Sequence, residues 1–192
     1  MGEGTSPMAP EQKHPRRKDR SLDEAAIRAL LTRGEAGVLS AVLDGRPYSL
    51  PRLYVFDPDR EAVYVHGAYG GETGRVLRQD GEGDGVAMNL TVFEMGRLLP
   101  ADEALEFGVE YVSVVVSGRA VEVEDREEAT RVLDLIMRKY APHLEPGRDY
   151  RPIAEEEVIR TSVIRIDIDS WSGKEKTEAP DFPGAYWFRD VR

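Results

Sequence analysis

Between residues 66 and 75 the chain reads His66-Gly67-Ala68-Tyr69-Gly70-Gly71-Glu72-Thr73-Gly74-Arg75. These residue types, in this order, can hold an oxyanion. Glycines let a backbone approach an anion closely. If a helix opens at Glu72, its unpaired first-turn N–H groups point at the same place. Thr73 adds a hydroxyl, and Arg75 adds a guanidinium that can bond two oxygens at once. His66 is the one histidine placed to assist proton transfer, since an unperturbed imidazole titrates near ~6.5. The set outlines a phosphate cradle. The same spacing also suits an ordinary strand–loop–helix junction with a hydrogen-bonded structural histidine, because neither GxxxxGK[ST] nor GxGxxG is present.

The elements that must position this segment can be read from periodicity. Ser21-Leu22-Asp23-Glu24 has the form of a capping box, and the helix it opens carries Ile27, Leu30 and Leu31 on one face up to Gly34. Val38–Leu43 and Tyr48–Phe56 read as strands around an Asp44-Gly45 turn. Asp57-Pro58-Asp59-Arg60 turns the chain into a third strand ending at His66, where Val63 and Val65 alternate with Tyr64 and His66. A short helix follows the glycine loop, and Gly81–Gly85 is a flexible connection. Val86–Phe93 is a fourth strand and Val109–Val123 a long fifth one, with Gly118 marking a bulge. Asp125 starts a helix with Ala129, Val132, Leu133, Ile136, Met137 and Tyr140 on one stripe, ended by Pro142. Glu155–Arg160 reads as a helical turn and Ser162–Asp169 as the sixth strand. Residues 94–108 carry no clear pattern. Six mostly antiparallel strands with helices before, within and after them describe a small β-barrel flanked by helices.

At 192 residues with 41% hydrophobic content, the chain suits one domain with a real core. Residues 1–20 are polar, proline-rich and aperiodic and read as a disordered arm; residues 177–192 hold an aromatic cluster (Phe182, Tyr186, Trp187, Phe188) that would pack on the body or a partner. Zero cysteines exclude disulfide and thiol chemistry, and three histidines (His14, His66, His143) form no ligand pair, so no metal site is expected. A net charge of -10 argues against nucleic-acid binding, so an anionic cofactor would need a local cation cluster. No run is apolar enough to span a bilayer, and a reducing cytoplasm is the expected compartment.

Five stretches in order resemble the pyridoxamine 5′-phosphate oxidase-like FMN-binding split barrels, and in particular their nitroimidazole-resistance branch. They are DGRPYSLPRLYVFD (44–57), YVHGA (64–68), the arginine at 75, EYVSVVVSGRAVEVED (110–125) and RIDIDSWSGKEK (165–176). The resemblance covers residues 20–176. It implies a mainly β fold, a six-stranded antiparallel split barrel over residues 21–176, and a homodimer whose two FMN sites are built from both subunits. Carried onto this chain, Leu50, Pro51, Arg52 and Leu53 would lie along the isoalloxazine edge. His66, Gly67, Thr73 and Arg75 would hold the ribityl phosphate. Asn89 and Ser113 would face the site or its rim, and Trp171 and Lys174 would reach it late in the chain.

The bland roles stand beside these. Arg52 could pair with a carboxylate across the sheet, Asn89 and Ser113 could be outward strand residues, Trp171 a core anchor and Lys174 a solvated side chain. The implied function is an FMN-dependent oxidoreductase taking hydride from a reduced nicotinamide and passing electrons to a small acceptor such as a nitroaromatic or quinone. Rival readings are a non-enzymatic flavin-binding or storage protein, or the same barrel holding deazaflavin or haem.

Overall fold

In a computed structural model, residues 18–43, 45–80 and 84–191 are described. Most of the N-terminal arm and part of the Gly81–Gly85 connection lie outside them, as does Asp44 of the first turn. Residues 18–20, counted above within the arm, form a 3-10 turn.

Seven antiparallel strands form one sheet: β1 (Gly37–Leu43), β2 (Arg46–Arg52), β3 (Tyr54–Asp57), β4 (Ala62–Ala68), β5 (Val86–Leu99), β6 (Gly108–Glu122) and β7 (Thr161–Lys176). Their order is β2-β1-β5-β6-β7-β4-β3. The expected six strands become seven because the segment read as Tyr48–Phe56 is cut at Leu53. Its first half pairs with β1 and its second half with β4, so the two halves lie at opposite edges of the sheet. One residue of chain therefore joins the two edges. The sheet curls into a barrel that hydrogen bonds do not close, and the seam runs past Leu53.

Among the described residues four α-helices flank it: α1 (Glu24–Arg33), α2 (Glu72–Asp80), α3 (Arg126–Tyr140) and α4 (Glu155–Ile159). The capping box read at Ser21 is not used. Asp23 caps α1, its carboxylate accepting from the Ala26 N–H at 2.8 Å, while Ser21 makes a bridge to Lys174 on β7. The helix begins at Glu24, which makes Asp23 its N-cap, and a carboxylate there also suits the positive end of the helix dipole. Asp125 caps α3 as its sequence suggests. Gly118 sits at the register shift between β6 and β7, where an added Cβ would lie 2.0 Å from the Asp167 carbonyl. Only glycine fits that approach.

The barrel interior is filled by Leu39, Val63, Val65, Leu90, Val114, Val116, Ile164 and Ile166, and α1 plugs one end with Ile27, Leu30 and Leu31. A second core lies outside the barrel, where Ala129, Val132 and Ile136 of α3 cover Val55, Tyr64 and Val163. Strand β4 is thus buried on both faces over Ala62–Val65. That fixes the strand end that carries His66.

The unpatterned 94–108 region is the extension of the β5–β6 hairpin. Arg97 there bonds Glu110 with both Nε and Nη2 and donates to the carbonyls of Ala179 and Pro180. Tyr186 bridges to Leu98, so the C-terminal segment is fastened to this hairpin. Among the described residues no helix is long and apolar enough to cross a membrane.

Candidate functional site

The seam at Leu53 opens into a cavity of about 460 Å³ lined by Pro51, Arg52, Leu53, His66, Gly67, Ala68 and Thr161. Five of these are residues singled out in the sequence. The cavity exists because β2 leaves the sheet at Arg52 just where β4 and β7 run out, so no strand covers the Gly67–Ser162 and Ala68–Thr161 pairs on that side.

Arg52 is the centre of the arrangement. Its guanidinium packs over Gly67, where a Cβ would sit 3.5 Å from Nη1. Nη2 donates to the Thr73 hydroxyl at 3.1 Å, and the Tyr48 Oη lies 2.7 Å from the same oxygen. Thr73 is itself buried. The expected alternative, a carboxylate partner for Arg52, is not what is found: among the described residues it bonds only a hydroxyl, and its Nε is buried with no acceptor. A half-buried cation without a counter-charge, in a chain of net charge -10, is costly unless an anion completes it.

His66 stands beside it. Burial, and secondarily the positive charge of Arg52, push its imidazole below the ordinary value of 6.5, so the ring is neutral at pH 7. The unperturbed titration expected from sequence is corrected accordingly. Its Nδ1 is also buried without a partner. Two orphaned nitrogens, from Arg52 and His66, therefore belong to residues lining one cavity, where an anion could supply the missing partners.

Helix α2 is pinned so that Thr73 meets Arg52. Arg78 bonds the Glu122 carboxylate at 2.7 Å and the Tyr69 carbonyl at 2.6 Å, and Glu122 also accepts from the Ser162 hydroxyl at 2.6 Å. Gly74 lets the helix lie against Ser162, whose Oγ would be 2.7 Å from an added Cβ. Tyr48, which reasoning from sequence missed, was findable only as an i−4 neighbour of Arg52 on the same strand face.

The other expected site residues lie elsewhere in the single chain. Arg75 is exposed at the outside of α2, with Glu72 4.0 Å away. Leu50 pairs with Leu39 on β1. Asn89 is exposed on β5, in register with Ser40 and Ser117. Ser113 lies between Phe93 and Lys174 in register. Trp171 packs on the barrel core, 6.3 Å from Phe56 and under Arg28.

The model of the pyridoxamine 5′-phosphate oxidase family matches residues 23–175, and the chain belongs to that family. No curated protein matches the chain. Among solved structures it is similar to the flavocytochrome Anf3 from Azotobacter vinelandii, at 24% identity and a TM-score of 0.72 over 87% of this chain and 74% of that one. The FAD and heme binding protein from Mycobacterium smegmatis is 21% identical, with a TM-score of 0.71 over 90% of this chain and 78% of that one. A candidate 5-nitroimidazole antibiotic resistance protein from Bacteroides thetaiotaomicron is 22% identical, with a TM-score of 0.63 over 81% and 86%. These likenesses establish the shared barrel.

Proposed function

We propose that the chain is a flavin-dependent oxidoreductase whose FMN is seated at the Arg52–His66 cavity. The observation that carries this reading is the uncompensated Arg52 guanidinium over Gly67, flanked by the orphaned His66 Nδ1. A phosphate dianion would supply both with partners, and family membership and the flavin-binding neighbours favour a flavin as its bearer. A bound flavin supplies hydride chemistry that no side chain here can perform.

The protein's part is binding and orientation. Arg52, held by the Thr73 hydroxyl that Tyr48 also bonds, fixes the anionic end, and the glycine backbone at Gly67 lets it come close. Pro51 and Leu53, exposed beside the cavity, would lie along the planar ring. His66, neutral at pH 7, can accept a proton at the site. Electrons would come from a reduced nicotinamide and go to a small acceptor such as a nitroaromatic or quinone, in the cytoplasm.

The working unit is a homodimer in this reading. Pro51 of the cavity is in register with Val38, Val38 with Thr91, and Phe93 and Met95 continue the same outward face. Val38, Phe93 and Met95 are among the exposed large hydrophobics. An apolar sheet face reaching the cavity rim suits a second subunit that closes it. Asn89, Ser113 and Lys174 share that face and would join the site there.

The test is the visible absorption spectrum of the purified protein, with mass analysis of whatever denaturation releases. Two flavin bands with released FMN support the reading. A colourless protein that also fails to take up added FMN ends it.

A further inference from the structure

A second, larger cavity of about 830 Å³ adjoins the first, and the two share Ala68 and Thr161 in their walls. Both volumes fall in the range of small-ligand sites. The floor of the larger one is apolar, made by Val123, Val158 and Ile159. Tyr69 stands in its wall, half-exposed, with its ring buttressed by the Arg78 guanidinium 4.3 Å from the ring centre. Arg78 is already satisfied by Glu122 and the Tyr69 carbonyl, so its role is to stiffen that aromatic plate. Arg126 is likewise paired with Glu155.

Two lining charges are left. Among the described residues neither the Arg160 guanidinium nor the Glu124 carboxylate makes a hydrogen bond or ion pair. The backbone of Arg160 is fixed, its carbonyl accepting from the Tyr69 N–H at 3.1 Å, so cation and aromatic plate are tied together.

A stiff aromatic plate, an apolar floor, one free cation and one free carboxylate complement a nucleotide, whose planar base bears an exocyclic amine and whose sugar carries a phosphate. We infer that this cavity is an adenylate subsite: the base stacks on Tyr69, its amine donates to Glu124, and Arg160 takes the phosphate. That the adenylate arrives as part of a dinucleotide rests on the flavin reading of the neighbouring cavity. It would be the distal half either of FAD or of the reduced nicotinamide donor.

The probe is AMP, titrated calorimetrically into the full-length protein with and without saturating FMN. AMP is expected to bind in both cases, and Arg160→Ala and Tyr69→Ala each to weaken it about tenfold while FMN affinity stays within about twofold. Absence of AMP binding, indifference to both substitutions, or displacement of AMP by FMN would overturn the subsite. Failure of FMN to bind sinks the flavin reading but leaves the AMP result legible. The source follows from two ratios. If FAD binds wild type more tightly than FMN and Arg160→Ala removes the difference, the adenylate is the flavin's own. If FAD and FMN bind alike and Arg160→Ala weakens reduced nicotinamide dinucleotides on the FMN-loaded protein, it is the donor's.

Discussion

Arg52 on β2 and Thr73 at the start of α2 are joined by a hydrogen bond of 3.1 Å, and this contact ties the sheet edge to the glycine-loop helix. Tyr48, on the same strand as Arg52, shares the Thr73 hydroxyl at 2.7 Å and so fixes the group that receives the cation. Tyr48→Phe and Thr73→Val should each loosen Arg52 and weaken FMN binding by about fivefold, the worth of one hydrogen bond of about 1 kcal/mol. Flavin titration of each variant checks this. If the two hydroxyls act through one network, the double variant should lose less than the product of the single losses.

His66 gives a pH dependence of definite sign. Its native pKa lies below the ordinary 6.5, through burial and the Arg52 charge. As pH falls past the ordinary value, the unfolded chain takes up a proton that the native ligand-free chain refuses. The stability contribution is full above that value and is lost as pH falls through the native one. Urea unfolding from about pH 7.5 down to about pH 5 should show this slope in wild type and a shallower one in His66→Gln. A bound phosphate reverses the local charge and raises the His66 pKa, so FMN binding near pH 7, where the free phosphate is mostly dianionic, should take up more proton in wild type than in His66→Gln, readable from calorimetry in buffers of different ionisation enthalpy.

Gly118→Ala should be among the most damaging single-methyl insertions in the chain. The new Cβ would meet a backbone carbonyl 2.0 Å away, and a carbonyl in a strand pair cannot step aside as a side chain can. A loss of about 3 kcal/mol in denaturant unfolding is expected. A change of a few tenths would show that the bulge accommodates a side chain.

The C-terminal segment is latched by Glu110. The bonds from Arg97, and then the Glu178 N–H, hold its carboxyl at about 2, so the latch is fully in force above the ordinary 4.5 and is lost only as pH falls through about 2. Amides over residues 178–186 should therefore stay protected from hydrogen exchange at about pH 3.5, after correction for intrinsic rates. In Glu110→Gln the same amides should exchange faster at every pH.

Much of the fold was legible because its signals are local. Alternation marked the strands, and Asp125 and the apolar stripe behind it marked α3. Gly118 announced its own bulge. The strand count was not, because nothing in Tyr48–Phe56 distinguishes one long strand from two that part at Leu53; only the pairing of each half with a different neighbour decides it. Residues 94–108 stayed unreadable for a related reason. Their hairpin is stabilised by Arg97, Glu110 and the distant tail rather than by a repeating apolar pattern.

For the site, the glycine loop and His66 could be found from residue types, and Arg52 from the family resemblance. The contact between Arg52 and Thr73, the part played by Tyr48 and the orphaned nitrogens depend on how the sheet curls. Arg75, the obvious cation in the sequence, stands outside the cavity on α2, and the cation inside it comes from strand β2.

The most direct test of the central claim is titration of flavin-free protein with FMN, wild type against Arg52→Ala, with circular dichroism confirming that both are folded. If Arg52 is the cation that holds the flavin phosphate, affinity should fall at least about tenfold, and Arg52→Lys should recover only part of it, since a point charge replaces a bidentate fork. Equal affinity in wild type and Arg52→Ala would contradict the account and move the phosphate away from this cavity.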